Sequence, residues 1–359
     1  MPGQPLDLFK KRYFWRLRKD LNRLFFTQFY NLPTTPARPT THRRLRHRSG
    51  PTTHHLFRYY IGQYKGGCVI KILLITTLLG LLMAAAGSSN GAVYAGLPVF
   101  ALCILLAFAT QWLAFVPAYL RQTEKFYDLT GSITYISVTV IALVLSQKTD
   151  ARSLLLTAMI VIWALRLGSF LFLRILTDGA DSRFDKIKPK PLSFLGTWSL
   201  QGLWVTVTGG CALAAITSGD SVGLTWFDLG GLTLWTLGFT LEVVADWQKR
   251  HFRAAQGSGQ FITSGLWSLS RHPNYLGEIM LWLGVALLAI PVLQGWQWVT
   301  LISPVFVYLL LTRVSGIPLL EKKADKQWGE DPGYQAYKAN TPILLPGLAG
   351  KKTGKAHGN

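Results

Sequence analysis

Residues 270–290 read SRHPNYLGEIMLWLGVALLAI. A polar head opens the stretch, Pro273 fixes the backbone near the favoured first position of a helix, and from Ile279 the run is apolar. Working outward, such runs recur at roughly 69–87, 92–119, 129–147, 153–176, 193–217, 225–247, 274–291 and 297–312. Each is near the ~20 residues that carry a helix across ~30 Å of hydrocarbon. Composition agrees: of 359 residues half are apolar by type and 15% are charged, with a mean hydropathy of +0.27. A water-soluble domain carries about a quarter charged residues. A soluble protein is excluded, and the expected fold is an all-α polytopic transmembrane bundle of about 7–8 helices.

The charge is lopsided, Lys+Arg 37 against Asp+Glu 17, a net +20. Residues 1–67 carry 14 of those cations against Asp7 and Asp20, and the excess stops where the first apolar run begins. This reads as a basic, disordered cytoplasmic extension that attracts anionic lipid rather than nucleic acid; no apolar core follows early enough for a signal peptide. Residues 68–347 form the membrane domain and 348–359 a basic tail. Cations between the runs alternate, so both termini and the loops 178–192 and 248–273 are expected on the cytoplasmic side. Lys148 and Arg152 dissent weakly. Cys68, Cys103 and Cys211 show no metal or redox spacing.

Charges at membrane depth need a partner or a task. Arg166 lies inside IVIWALRLGSFLFLRIL (160–176), with Arg174 two turns on and nearly on the same face. Glu242 and Asp246 stand at i, i+4 in TLEVVADWQKRHFR (240–253), followed by Arg250 and Arg253. Asp128 begins the third run in KFYDLTGSITY (125–135). Convergence of Arg166, Glu242 and Glu278 in the interior would make a polar cavity for a charged ligand, facing the cytoplasm. The motif at 270–290 suits it. Arg271 and His272 lie by the positive end of a helix, fit for a phosphate or carboxylate. Asn274 has an amide able to read another amide. Gly277 permits close approach of a flat group or a helix, and Glu278 shares the face of Asn274. No Walker loop, soluble dinucleotide fingerprint or metal spacing occurs.

With KFYDLTGS, WALRLGSFLFLRI followed by DGADSRFD, ADWQKRHFR, GLWSLSRHPNYLGE and SGIPLLEKKADKQWGEDPGYQAYKANTPILLPG, the chain from about 68 to 347 resembles the bacterial membrane proteins related to steroid 5-alpha-reductase (DUF1295 type). The resemblance implies a seven-helix-type core with an added first helix, NADPH entering from the cytosol, and a lipid-soluble substrate whose carbonyl-conjugated C=C bond is reduced. Residue by residue, it places Asn274 and Glu278 beside the nicotinamide and Asp246 on the cofactor. Arg253 falls on its phosphates, Arg166 faces it, and Asp128 takes the substrate carbonyl. Arg174, Arg250, Arg271, His272, Tyr275 and Arg313 complete the candidate cofactor-binding set, and Asp128, Trp163 and Glu278 the catalytic one. Two positions depart from the family: Asp128 stands for a longer Glu, and Trp163 for a Tyr, so that an indole N–H replaces a phenol. The implied setting is a bacterial inner membrane.

Two further readings remain open. Isoprenylcysteine and phospholipid methyltransferases share an RHPxYxG motif, followed by a double Glu, and bind S-adenosylmethionine; here the second element reads PLLEKKAD, with Glu321 alone. A non-enzymatic membrane scaffold or transporter is the other.

Overall fold

The computed structural model describes residues 53–181, 184–257 and 259–345, with the backbone path alone for 53–68 and 178. Most of the extension and all of the basic tail lie outside the described residues. Among the described residues the elements are helices α1 (Thr53–Gly87), α2 (Val99–Leu120), α3 (Tyr127–Ser146), α4 (Ala151–Asp178), α5 (Pro191–Thr217), α6 (Trp226–Gln256), α7 (Pro273–Ala289), α8 (Ile302–Leu309), α9 (Ile317–Trp328) and α10 (Pro332–Asn340), with a short hairpin of β1 (Val93–Tyr94) and β2 (Leu97–Pro98). Eight segments are long and apolar enough to cross a membrane, from Val69–Gly87 to Gly295–Trp328. The chain is an all-α polytopic membrane protein.

The expected runs and the observed helices agree except where polarity and helicity part company. Residues 93–98, apolar enough to extend the second run, form the hairpin instead, turning through Ala95 and Gly96 at positive φ. Helix α6 continues past its apolar run at 225–247 to Gln256, since Gln, Lys and Arg are good helix formers in water, and stops at Gly257 with φ 75. The last span does not end at 312; a π-helical turn over Leu310–Val314 leads on to α9. Backbone helix also begins at Thr53, earlier than the disordered linker implied.

The chain divides into two compact units whose boundaries fall inside helices: one holds Leu106–Thr134, Leu167–Trp204 and the residues up to Leu82, the other Met83–Leu105, Tyr135–Arg166 and the residues from Val205 on. In the first, Phe184, Phe194 and Trp198 pack around Ala118. Tyr127 meets Phe184 and Trp198 edge-on at 5.1 Å and donates to Thr197 O at 2.9 Å. Glu124 accepts from Lys188 Nζ at 2.6 Å and from the Asp181 amide at 2.8 Å, tying together the polar ends of that unit.

In the second unit α6 and α7 pack antiparallel through a glycine ladder. A Cβ on Gly231 would stand 2.6 Å from Gly284 O, and one on Gly238 2.6 Å from Gly277 O. The steps are seven residues apart on both helices, so the same faces meet two turns later; the next step reaches Ala245 and Ser270, both buried. Close backbone approach of small residues is how helices associate where no hydrophobic force separates helix from lipid.

The two dissenting cations are used structurally. Lys148 Nζ donates to Asp220 O at 2.6 Å. Arg152, 2% exposed, grips both oxygens of Asp228 at 2.7 Å and donates to the carbonyls of Val222 and Gly223. Asp228 in turn caps the start of α6 through the Thr225 amide at 2.6 Å. Their charge is consumed by the fold, which is why they break the alternation. Arg152→Lys keeps a charge but loses the planar fork, and charged hydrogen bonds are worth about 1.5–3 kcal/mol each. A clear fall in the thermal midpoint in detergent is expected, with ligand binding retained below it.

Candidate functional site

In the second unit the buried charges on α4, α6 and α7 meet. Arg166 of α4 donates to Glu242 Oε1 at 3.0 Å and to Asp246 Oδ2 at 3.0 Å. The i, i+4 spacing of the two acids puts both on the α6 face that Arg166 reaches. Asp246 Oδ1 accepts from Asn274 Nδ2 of α7 at 3.1 Å. Glu278, one turn on from Asn274, lies within the field of Arg166, Asp246 and Glu242. The glycine ladder makes this possible, because a Cβ on Gly277 would stand 2.7 Å from Glu242 N. Gly277 thus admits the neighbouring helix.

The relay orients an amide. A carboxylate only accepts, so Asp246 draws the Asn274 NH₂ toward itself and turns the amide oxygen the other way. Among the described residues no donor reaches Asn274 Oδ1 or Glu242 Oε2, and both atoms are buried. A buried polar atom without a partner is costly, and a ligand with N–H groups would relieve it.

At the same end of that unit is a cavity of about 410 Å³, lined among others by Lys249, Arg253, Arg271 and Lys323 and by the rings of Phe261 and Tyr334. Asp246, Lys249 and Arg253 follow at i, i+3 and i+7, one continuous face running from the buried acids to the cavity wall. Lys249 Nζ sits 4.3 Å over the Trp267 ring, whose indole donates to Ala245 O at 3.1 Å. The far wall is the chain's own tail, held by Arg271 N to Pro342 O at 2.9 Å, Tyr337 Oη to Trp267 O at 2.7 Å and Trp328 Nε1 to Gly259 O at 2.6 Å. Asp331 caps α10 through the Gly333 amide at 2.7 Å. Phe261, Trp328 and Tyr334 form an aromatic group with centroids 5.3–6.0 Å apart. Burial pushes the Tyr337 phenol up to about 12. Tyr334 is raised by burial and by Asp325. Both remain neutral donors at any ordinary pH.

The anion expected near Arg271 and His272 comes from the chain itself. Glu321 of α9 pairs with Arg271 and accepts from His272 Nε2 at 2.8 Å. With its proton on Nε2, His272 leaves Nδ1 as a bare acceptor, buried and without a donor among the described residues. Burial holds the imidazole below its ordinary value, against the pull of Glu321, so it is neutral at pH 7. Tyr275 stacks on His272 at 5.8 Å, and a Cβ on Gly316 would meet the Tyr275 ring at 2.9 Å, which keeps that position small.

Of the candidates read from sequence, Arg166, Asp246, Asn274 and Glu278 therefore form one cluster, and Arg253, Arg271 and His272 line the cavity beside it. Trp163 lies one turn before Arg166 on α4. Arg250 is exposed on α6 and Arg313 on the π-helical turn, and neither is among the lining residues. Asp128 and Arg174 belong to the first unit, where they face each other at 4.0 Å, both partly exposed. Lys249, Trp267 and Tyr334 were not singled out by sequence. Lys249 had a signal, its helical spacing from Asp246; Tyr334 had none, since only the folding back of the tail brings it there.

The profile of a family described as "Protein of unknown function (DUF1295)" matches residues 114–341, more than half of the chain, and the chain belongs to that family. Over 124 residues it is 32% identical to Steroid 5-alpha-reductase DET2 of Solanum lycopersicum, covering 34% of this chain and 43% of that relative. The match thus spans less than half the length of the curated relative.

Proposed function

We propose, from that membership and this geometry, that the protein is a membrane oxidoreductase that binds NADPH and reduces the C=C bond of a lipid-soluble, carbonyl-conjugated substrate. The observation that carries the reading is the Asn274 amide, fixed by Arg166 and Asp246 with its oxygen buried and undonated. Such an acceptor fits the NH₂ of a carboxamide. Lys249, Arg253, Arg271 and Lys323 supply the positive wall a phosphorylated dinucleotide requires, and the aromatic group by Phe261 offers a face for a purine. The residues present therefore fit the group: Asn274 and Asp246 would hold its amide end, and the cations its phosphates. When bound, NADPH supplies a hydride.

The chain's own part is to orient and to exclude water. Arg166 holds Asp246, Asp246 holds Asn274, and Glu278 stands one turn deeper as a polar group facing whatever lies beyond the amide. The fold carries apolar side chains outward along its spans, so a hydrophobic substrate reaches the site from the bilayer. By the alternation of cations the nucleotide end faces the cytoplasm, and the cell membrane is the proposed location.

A methyltransferase reading requires a carboxylate available to a sulfonium. Glu321, the acid in the relevant position, is already engaged by Arg271 and His272 and has Lys338 at 3.8 Å, and four cations around the cavity oppose a positively charged ligand. The test is titration of purified protein in detergent, followed by tryptophan fluorescence. NADPH is expected to quench, NADH to bind about tenfold more weakly for want of the charged 2′-phosphate contact, and S-adenosylmethionine to have no effect. Asn274→Ala should weaken NADPH by about tenfold, the worth of one or two buried hydrogen bonds. Quenching by S-adenosylmethionine without any by NADPH would transfer the assignment to the methyltransferase class.

A further inference from the structure

Helix α6 carries two tryptophans that the fold leaves uncovered. Trp226, its first residue, is 85% exposed, and Trp247, toward its other end, is 57% exposed. Large apolar rings outside the core call for a surface that receives them. The two lie twenty-one residues apart, about 32 Å along the axis and just short of six full turns, so they leave the helix on nearly the same side. Between them every exposed residue of α6 is uncharged. The Thr236 hydroxyl donates back to Leu232 O at 2.8 Å, which spends its polarity within the helix. Glu242 and Asp246 turn to Arg166 instead. Exposed cations resume only past Trp247, at Arg250. Trp247 itself is steadied by His251, whose ring packs on the indole at 4.2 Å and whose Nδ1 donates to Trp247 O at 2.9 Å.

The last span repeats the spacing. Trp296 is 71% exposed and Arg313 is exposed as well. The 3₁₀ turn Gly295–Leu301 and the helix beyond it set them about 28 Å apart. The turn that presents Trp296 is held from within, because buried Gln297 accepts from Gln294 N at 3.0 Å and donates to Gly87 O at 3.4 Å. The glycine ladder brings the two spans into step. Gly231 lies against Gly284, so Trp226, five residues before the first, is level with Ala289, five after the second. Residues 290–295 then lead directly to Trp296. Trp226 and Trp296 therefore mark one level, and Trp247 and Arg313 another about 30 Å away.

That separation is the thickness of bilayer hydrocarbon. Indoles settle at its two edges, and an arginine stem lies along the apolar side while its head reaches the polar layer. A second copy of the chain or another protein would impose no such spacing. We propose that Trp226 and Trp296 at one edge, and Trp247 and Arg313 at the other, bind the two headgroup layers of a bilayer with about 30 Å of hydrocarbon and fix the depth of the second unit. Arg313, which does not line the cavity, acquires a task in this way. Asp246 precedes Trp247 by one residue and holds the Asn274 amide at 3.1 Å, so that amide lies at the edge of the hydrocarbon. Lys249 and Arg253 follow about 3 and 9 Å beyond Trp247. On the cofactor reading, on which this last consequence rests, the phosphates stay among the headgroups and only the carboxamide end enters hydrocarbon.

The test uses full-length protein carrying 5-fluorotryptophan, reconstituted in phosphatidylcholine nanodiscs and followed by ¹⁹F NMR. Trp226→Phe and Trp247→Phe assign the two resonances by their disappearance. A nitroxide on the lipid headgroup should broaden both resonances, a nitroxide at the chain end neither, and a water-soluble nitroxide both to a lesser degree. Broadening of either by the chain-end label, or by the water-soluble label alone, would overturn the proposal. So would resonances untouched by all three, which would place a second copy or another protein over the rings. A second measurement needs no variant. In vesicles of rising chain length the thermal midpoint should peak where the hydrocarbon is about 30 Å thick and fall on either side; a midpoint indifferent to thickness would contradict the seating. Bound NADPH should lose fluorescence to the headgroup label and not to the chain-end label, and the reverse would refute the assigned depth. NADPH that fails to bind while both tryptophans respond as expected would sink the cofactor reading and leave the seating intact.

Discussion

Arg166→Met is expected to abolish nucleotide binding, raising the NADPH Kd by about a hundredfold or more. Removing the guanidinium leaves Glu242, at 4% side-chain exposure, and Asp246 as neighbouring acids without the cation that bridges them. Breaking a buried pair from one side costs about 3–5 kcal/mol, and every 1.4 kcal/mol is tenfold in an equilibrium. The effect exceeds that of Asn274→Ala because Arg166 acts upstream: without it Asp246 has no fixed position, and Asn274 loses the acceptor that turns its amide. Arg166→Lys should fall between, since an ammonium is a compact charge that cannot lie along two carboxylates as a planar fork does. Fluorescence titration on the purified variants, with size-exclusion profiles as the folding control, reads both. An NADPH affinity untouched in Arg166→Met would remove the cluster from the cofactor site.

The second large effect is structural. Gly277→Leu is expected to prevent accumulation of folded protein, because the new Cβ would stand 2.5 Å from Gly238 O and 2.7 Å from Glu242 N, backbone atoms that cannot step aside. Overpacking ordinarily costs about 1–3 kcal/mol; here α6 and α7 must separate along the whole ladder, and the charged cluster separates with them. Gly230→Leu serves as the comparison, since nothing stands within 4 Å of a Cβ there, and it should express and melt like the parent. Loss of monodisperse protein in the first and retention in the second is the expected pair of chromatograms.

Much of this was legible in the chain. Apolar length locates spans because hydrocarbon tolerates little else, and the eight segments fall close to where that length puts them. The site was legible to the extent that membrane-buried charge is costly: Arg166, Glu242 and Asp246 stand out against their neighbours, and their convergence follows from that cost. What escaped has three physical causes. Helix α6 runs on for nine residues beyond its apolar stretch because helicity persists in water where hydropathy does not. Lys148 and Arg152 weaken the charge alternation, and only their bonds to Asp220 and Asp228 reveal that their charge is spent internally. Trp282 hides among the apolar residues of its own helix, where an aromatic ring predicts packing. Its buried indole N–H, without an acceptor among the described residues, sets it apart only in three dimensions. The tail is the same case, since nothing local in WGEDPGYQAY announces that Trp328, Tyr334 and Tyr337 return to wall a cavity formed in part by residues 249–272.

The central claim is that buried residues of α4, α6 and α7 hold a phosphorylated nicotinamide dinucleotide. Native mass spectrometry of the protein released from detergent, after purification from cells without added nucleotide, tests it most directly. The account predicts a single adduct with the mass of NADP(H), absent from Arg166→Met and depleted in Asn274→Ala. An adduct with the mass of S-adenosylmethionine or its demethylated product would contradict it, as would wild-type protein that takes up no nucleotide even after incubation with excess NADPH.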